Sequence, residues 1–218
     1  MIYTFWEGPM PQYIEMCLRT WKLPYTMLNY SNVGEYTELP LERLKRFTLP
    51  QIADVVRVHV LRDRGGYWLD ADTIMITGKL PETDMVGDPV KRTNTIGLLW
   101  SAPGSAMFKA WAEYQDKIIN GEHASLSWSL MGNEFTDEYV KAHREIRIHD
   151  VTDYWPETYM IQDGNRMNKY KRFYFDSAFT LADIRQTDLL MLHNSWTPHK
   201  YDLKHDCTLS NILKELLN

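Results

Sequence analysis

Ile52-Ala53-Asp54-Val55-Val56-Arg57, followed by Gly65-Gly66-Tyr67-Trp68-Leu69-Asp70-Ala71-Asp72, is the stretch that decides the fold. From Pro50 to Arg64 the chain reads as a helix, halted by Gly65-Gly66, where the backbone can turn left-handed. Ile52, Val55, Val56 and Val60 form its apolar stripe, while Asp54 and Arg57, three apart, share a different face. That face can line a site; on spacing alone the pair also reads as an ordinary ion pair on a helix surface. Trp68 to Ile76 then reads as a strand. Along a strand Asp70 and Asp72 point the same way, roughly 7 Å apart, with the small Ala71 facing the other side. Two such carboxylates repel unless a cation lies between them, and oxygen pairs of this kind suit Mg²⁺ or Mn²⁺ holding a phosphate.

Outward from this stretch, strands and helices alternate. Ile2–Trp6 and Tyr25–Tyr30 read as strands around a helix over Gln12–Trp21. A short helix over Leu41–Phe47 precedes the long one, and Thr95–Ser101 is a strand before an amphipathic helix over Ala106–Ile119. Asn120–Arg144 is ambiguous between loop and helix; Glu145–His149 and Asp188–His193 read as strands and Leu209–Leu217 as a closing helix. Such alternation predicts an α/β sheet with ligands at the carboxyl ends of its strands, where Trp6, Asp70 and Asp72 fall.

Composition narrows the classes. With 218 residues, 44% of them hydrophobic, the chain can bury one sizeable core, which predicts a single domain. A net charge of −5 argues against a general nucleic-acid binder. Cys17 and Cys207 are too few for a disulfide framework and read as two reduced thiols. No leader pattern and no apolar run of spanning length is visible, so a cytoplasmic protein is expected. Eight tryptophans and thirteen tyrosines supply faces of the kind that sugar and uracil sites use.

With Trp6-x-Gly8, Ala53-Asp54-x-x-Arg57, Gly65-Gly66-Tyr67-x-x-Asp70-x-Asp72 and His193-Asn194-Ser195-Trp196, the chain resembles the DXD-containing nucleotide-sugar glycosyltransferases. These include capsular polysaccharide synthesis and mannosyltransferase-like enzymes, with the glucosylating toxins as distant relatives. The resemblance implies a GT-A-type, Rossmann-like single domain over 1–218 with a mixed, mostly parallel sheet flanked by helices. Its nucleotide-binding part would run over about 1–76 and its acceptor- and metal-completing part over about 77–218. The activity implied is transfer of a hexose from a UDP-sugar to a glycan hydroxyl, with Mn²⁺ or Mg²⁺ and retention of configuration. Capsule, surface or viral glycans all fit. The location would be the cytoplasm, or the host's for a virus, with peripheral membrane contact if the acceptor is lipid-linked.

The resemblance also assigns roles. Trp6 would stack on the base, with Gly8 letting the chain pass close to it; Asp54 and Arg57 would bind the donor sugar and its phosphate, and Tyr67 would sit near the donor or pack under the helix. Asp70 would touch the ribose and the metal, Asp72 would bind the metal, and His193 would complete its shell, with Ser195 and Trp196 near the diphosphate. A lone histidine also often just bonds a backbone carbonyl. Lys200, beyond Trp196, is a candidate for the diphosphate or the acceptor, whereas Lys169, Lys171 and Arg172 read more simply as a solvated face. Glu134 lies in Gly132-Asn133-Glu134, where relatives commonly carry a proline after the glycine; it is the candidate catalytic carboxylate on that loop.

Two other classes compete. Asp70 and Asp72 also fit the first motif of haloacid-dehalogenase-like phosphatases, with Val86-Gly87-Asp88 as a later acidic motif, but only fifteen residues separate Asp72 from Asp88. That class leaves Asp54-x-x-Arg57 and Gly65-Gly66 unexplained. An EF-hand fails because Met75 and Pro81 stand where its glycine and glutamate belong. A non-catalytic sugar-binding module with a structural cation predicts binding without turnover.

Overall fold

A computed structural model describes residues 1–121, 127–198 and 206–218. In chain order the elements are β1 (Ile2–Phe5), α1 (Gln12–Arg19), β2 (Tyr25–Leu28), α2 (Leu41–Leu44), α3 (Leu49–Arg64), β3 (Gly66–Leu69), β4 (Thr73–Met75), β5 (Met85–Asp88), β6 (Thr93–Ser101), α4 (Ala106–Ile119), α5 (Asn133–Ala142), β7 (Ile148–Asp150), α6 (Glu157–Met160), α7 (Arg166–Phe175), β8 (Leu189–Met191) and α8 (Thr208–Leu217). They divide into two compact units that interleave along the sequence. The first comprises Met1–Gly8, Pro24–Asp70 and Glu82–Asp150; the second comprises Pro9–Leu23, Ala71–Pro81 and Val151–Asn218.

The first unit holds a six-stranded sheet in the order β2-β1-β3-β6-β5-β7. The pairs β2–β1, β1–β3 and β5–β7 are parallel, while β6 runs antiparallel to both its neighbours, so the sheet is mixed and mostly parallel. This is the expected α/β architecture. Its core gathers Phe5, Leu28, Trp68 and Leu99 of the sheet with Val55, Val56, Phe108 and Trp111 of the helices. Helix α3 begins where the Gln51 side chain accepts the Thr48 backbone N–H at 3.0 Å. Its stripe of Ile52, Val55, Val56 and Val60 is fully buried, each residue contributing about 1.5–3 kcal/mol by leaving water. The helix stops at Gly65, whose φ is 63°. A Cβ there would lie 2.6 Å from the Pro103 ring and 2.8 Å from the Ser101 carbonyl; at Gly66 it would lie 2.6 Å from the Met1 carbonyl. The glycine pair therefore serves both the turn and the close return of β3 alongside β1.

The second unit has the antiparallel pair β4–β8 and helices α1, α6, α7 and α8. Its core is built from Ile14, Leu18, Ile74, Tyr170, Phe173, Leu190, Leu209 and Ile212, all buried. Cys17 and Cys207 are both buried, and neither forms a disulfide. No helix among the described residues is long and apolar enough to cross a membrane.

The strand expected over Trp68–Ile76 is interrupted. β3 ends at Leu69, Asp70-Ala71-Asp72 forms a turn, and β4 resumes at Thr73 in the other sheet. Asp70 and Asp72 are therefore not alternate residues of one strand, and the same-face spacing read from the sequence does not apply. The physical cause is that the chain leaves one ladder for another: Asp70 N–H still reaches the Gly97 carbonyl at 2.9 Å, whereas the Asp72 carbonyl accepts Leu192 N–H at 3.2 Å. The ambiguous Asn120–Arg144 segment carries α5, and β5 and α7 are elements that the periodicity did not reveal.

Gly65→Ala places a Cβ against backbone in a conformation open almost only to glycine. It is expected to lower unfolding free energy by about 1–3 kcal/mol, read as a reduced urea midpoint with unchanged slope. An unshifted midpoint contradicts this account of the turn.

Candidate functional site

In the first unit the site is organised by Arg57, a buried guanidinium on α3. One of its terminal nitrogens lies 3.2 Å from Asp54 Oδ1 and 3.0 Å from Asp70 Oδ1; the other donates to the Ile96 carbonyl. The Trp68 indole N–H donates to the same Asp70 oxygen at 2.8 Å, and the Arg57 guanidinium stands 5.0 Å from the Trp68 ring centre. Asp54, Arg57 and Asp70 thus form one cluster just beyond the carboxyl end of β3. Of the two readings of the 54/57 spacing, the helix-surface ion pair is excluded by burial: the side chains of Arg57 and Asp54 are only 5% and 13% exposed.

One guanidinium serves two carboxylates here. Burial pushes the Asp54 carboxyl up to about 7; the Arg57 charge opposes this and the Asp70 charge reinforces it. Gly132, at the start of α5, comes close to the same group: a Cβ there would lie 3.1 Å from Asp54 Oδ2 and 2.5 Å from the Ile96 side chain. The loop that precedes α5 is tied down by Gln115, whose amide donates to the Met131 carbonyl at 2.6 Å and to the Asp54 carbonyl at 3.1 Å. Asn133 donates to the Asn94 carbonyl at 2.8 Å. Glu134, in the first turn of α5, does not join the Asp54 cluster; its Oε1 accepts from Ser127 and, at 2.7 Å, from Ser129.

Trp6 follows β1 directly, and β1 and β3 run parallel with Tyr3 opposite Trp68, so Trp6 and Asp70 leave the same edge of the sheet. The Trp6 indole N–H is buried and has no hydrogen-bond partner. Gly8 takes φ 84°, a turn conformation that favours glycine, with open space where a Cβ would be. Tyr67 is not brought into the cluster. It alternates with Trp68 along β3 and so faces the other side of the sheet, where Glu82 and Arg147 act on its hydroxyl.

In the second unit Asp72 is buried at the head of β4. Its Oδ2 accepts the Asn194 backbone N–H at 2.7 Å, and the Asn194 side chain in turn accepts from the Tyr13 hydroxyl. Tyr13 therefore steadies the turn that holds Asp72, a role that no local signal in the sequence shows. His193, just before that turn, has its Nε2 3.0 Å from an Arg166 guanidinium nitrogen. Burial, helped by the Arg166 charge, pulls the imidazole down to about 3, so it is neutral at pH 7. Trp196 packs on His193 with ring centres 4.1 Å apart, Trp155 lies 5.3 Å away, and Arg166 stacks 3.4 Å from the Trp155 ring centre. Ser195 is exposed in the same turn. Glu157, fully buried on α6, has its carboxyl raised to about 7 by burial, and neither of its oxygens has a hydrogen-bond partner. Lys171 and Arg172 are exposed on α7, the solvated face expected of them, and Lys200 lies outside the described residues.

Three carboxylate or imidazole groups were expected to share a divalent ion. Among the described residues no group of three or more His, Cys, Asp or Glu side chains is arranged to hold a metal. The carboxylates themselves are suitable oxygen donors, since such ions need only one or two from the protein plus substrate oxygens. His193 does not fit in this arrangement: arginine can only donate, so the Nε2 lone pair that a metal needs is already engaged by Arg166.

Asp54 gives a pH signature. The folded protein holds the Asp54 proton up to about pH 7, while the unfolded chain releases it near 3.8. Between these values the unfolded chain binds fewer protons, so this group's contribution to stability falls as pH rises. Asp54→Asn removes that loss, and its stability relative to the native protein is expected to climb between pH 4 and 7 and level off above. Urea unfolding at four pH values checks it; parallel curves for the two proteins refute the raised carboxyl.

The family model described as capsular polysaccharide synthesis protein matches residues 2–183. Among solved structures the chain is similar to one described as PaToxG Glycosyltransferase, with a TM-score of 0.44 and 14% identity over 66% of this chain and 68% of that one. No curated protein matches it. Because the family model spans most of its length, the chain belongs to the capsular polysaccharide synthesis protein family.

Proposed function

We propose that this protein is a glycosyltransferase that moves a hexose from a UDP-sugar to a hydroxyl of a glycan acceptor, with retention of configuration. Family membership supports the class. The observation that carries the reading is the pairing of Asp70 with the buried Arg57 beyond β3, on the sheet edge that Trp6 also leaves. Ligands of α/β sheets gather at such carboxyl ends. A haloacid-dehalogenase-like phosphatase loses its second acidic motif here, because Asp88 accepts the Val90 and Lys91 backbone N–H groups and serves a surface turn.

In this reading Trp6 offers its ring to the base, and Arg57 fixes the direction of Asp70 toward the donor's ribose. Asp54, a hydrogen-bond donor when protonated and an acceptor when ionised, addresses the sugar hydroxyls. The Asp70-Ala71-Asp72 motif supplies carboxylate ligands for Mn²⁺ or Mg²⁺, which when bound neutralises diphosphate charge. The bond from the anomeric carbon to the diphosphate breaks as the acceptor oxygen bonds to that carbon on the same face. The acceptor's proton passes to the departing phosphate oxygen, so no protein nucleophile is required. A lipid-linked acceptor is reached at the membrane surface.

Calorimetric titration with UDP and a set of UDP-sugars, with and without Mn²⁺, tests this reading. Binding is expected to be metal-assisted and to select one sugar. Asp72→Asn is expected to abolish the metal-assisted part and to slow transfer about 10²–10³-fold. Trp6→Ala is expected to weaken UDP by about 1–3 kcal/mol, the value of one stacked base. Absence of nucleotide binding with either metal rejects the proposal.

A further inference from the structure

We propose that Glu157 and Arg166 form a proton-operated switch within the second unit. A protonated Glu157 stays sealed against α7 and leaves Arg166 to His193, whereas an ionised Glu157 draws the Arg166 guanidinium to itself and releases His193 Nε2. The switch concerns the second unit alone and goes beyond the glycosyltransferase reading, on which it does not depend.

Glu157 opens α6, which packs against α7, and is 0% exposed; yet neither of its carboxyl oxygens accepts a hydrogen bond. A charged carboxylate in such a place is heavily penalised, so the group either keeps its proton or acquires a cation. Burial holds the proton up to about pH 7, opposed by the residue's own backbone N–H and by the Arg166 charge. Arg166, the first residue of α7, is thus close enough to act on Glu157, although no hydrogen bond joins them. Its guanidinium is held elsewhere, 3.4 Å from the ring centre of Trp155 and 3.0 Å from His193 Nε2. Trp155 stands two residues before Glu157, so the stacked guanidinium already lies against the segment that carries the carboxyl. Arg166 is exposed overall, and its long side chain can exchange one partner for the other while the ring keeps its plane.

The other groups around Glu157 do not compete for this role. On α7, Tyr174 is fully buried with its hydroxyl unpartnered, and beyond it lie Tyr170 and the Cys17 thiol of α1; burial pushes all three well up, so they stay neutral. On α6 itself the Tyr159 hydroxyl accepts the Arg185 backbone N–H at 3.1 Å, and the Arg185 guanidinium stacks 4.2 Å from the Tyr159 ring centre. His193 is neutral across the same range, because burial and the Arg166 charge pull it down to about 3. Raising the pH through neutrality therefore moves one proton from Glu157 to solvent and leaves a new buried charge, which Arg166 is placed to meet. One guanidinium with two alternative acceptors is the bistable element, and the proton biases it.

Nuclear magnetic resonance of the whole chain, labelled at glutamate carboxyl carbons and histidine ring nitrogens, tests the switch between about pH 5 and 9. The Glu157 carboxyl signal, assigned by its loss in Glu157→Gln, is expected to titrate near 7 and not near the 4.5 of an unfolded chain. The His193 Nε2 signal is expected to shift with the same midpoint as its hydrogen bond is lost, and to stay fixed in Glu157→Gln. Arg166→Ala is expected to raise the Glu157 midpoint by about 1–3 pH units, the effect of removing a cation at ion-pair range. A Glu157 midpoint near 4.5 overturns the proposal. So does a His193 Nε2 signal that stays fixed in the native protein while Glu157 titrates, or a midpoint unmoved by Arg166→Ala. If Glu157→Gln does not fold, the carboxyl signal that moves in Arg166→Ala identifies Glu157, and the absence of any such signal likewise overturns the switch. None of these outcomes depends on nucleotide binding, so the glycosyltransferase reading stands or falls separately.

Discussion

A single buried guanidinium ties together three separate parts of the first unit. Arg57 reaches Asp54 on its own helix, Asp70 beyond β3 and the Ile96 carbonyl on β6. Taking away one partner of such a buried pair leaves a charge with no compensation, at a typical cost of about 3–5 kcal/mol. The arrangement is therefore a structural commitment. It also explains why Gly65 and Gly66 have to be glycines. Only a tight return from α3 into β3 brings a residue six places beyond the helix back to a guanidinium seven places before its end.

Sharing one cation between two carboxylates makes them unequal. Asp54 is enclosed, and burial outweighs its part of the Arg57 charge, so its proton is held to near neutrality. Asp70, whose side chain is 38% exposed, keeps contact with water while Arg57 and the Trp68 indole fix one of its oxygens. Environment thus separates two chemically identical groups into one that can exchange a proton near pH 7 and one with a fixed orientation, a division of labour that enzymes commonly draw from paired acids.

Much of this was legible from local pattern. The stripe of α3, its glycine stop and the carboxyl-end position of Trp6 and Asp70 follow from periodicity and turn chemistry, and Ala106–Ile119 was bounded correctly because its amphipathic period is clean. The extended reading of Asp70-Ala71-Asp72 failed because alternation cannot reveal that a chain changes sheets between two apolar runs. β5 escaped notice for a related reason: Met85-Val86-Gly87-Asp88 is too short, and too interrupted by its glycine, to stand out. Long-range partners left no local trace at all. Tyr13 and Asn194 lie 181 residues apart, and Arg166 and His193 lie 27 apart.

The dipeptide His193-Asn194 shows how closely opposite charges can be served by adjacent residues. The Asn194 backbone N–H holds the Asp72 carboxylate, and one residue earlier the His193 ring accepts from the Arg166 guanidinium. A donor for an anion and an acceptor for a cation are thus set by the same short turn, which the Thr197 backbone N–H closes on the His193 carbonyl at 3.0 Å. Neutral imidazole suits this place because it can accept from arginine without adding a second positive charge, and burial keeps it neutral. A lysine or arginine here would repel Arg166, and an aspartate would form an ion pair with it. Histidine holds one guanidinium nitrogen in place without adding charge of either sign.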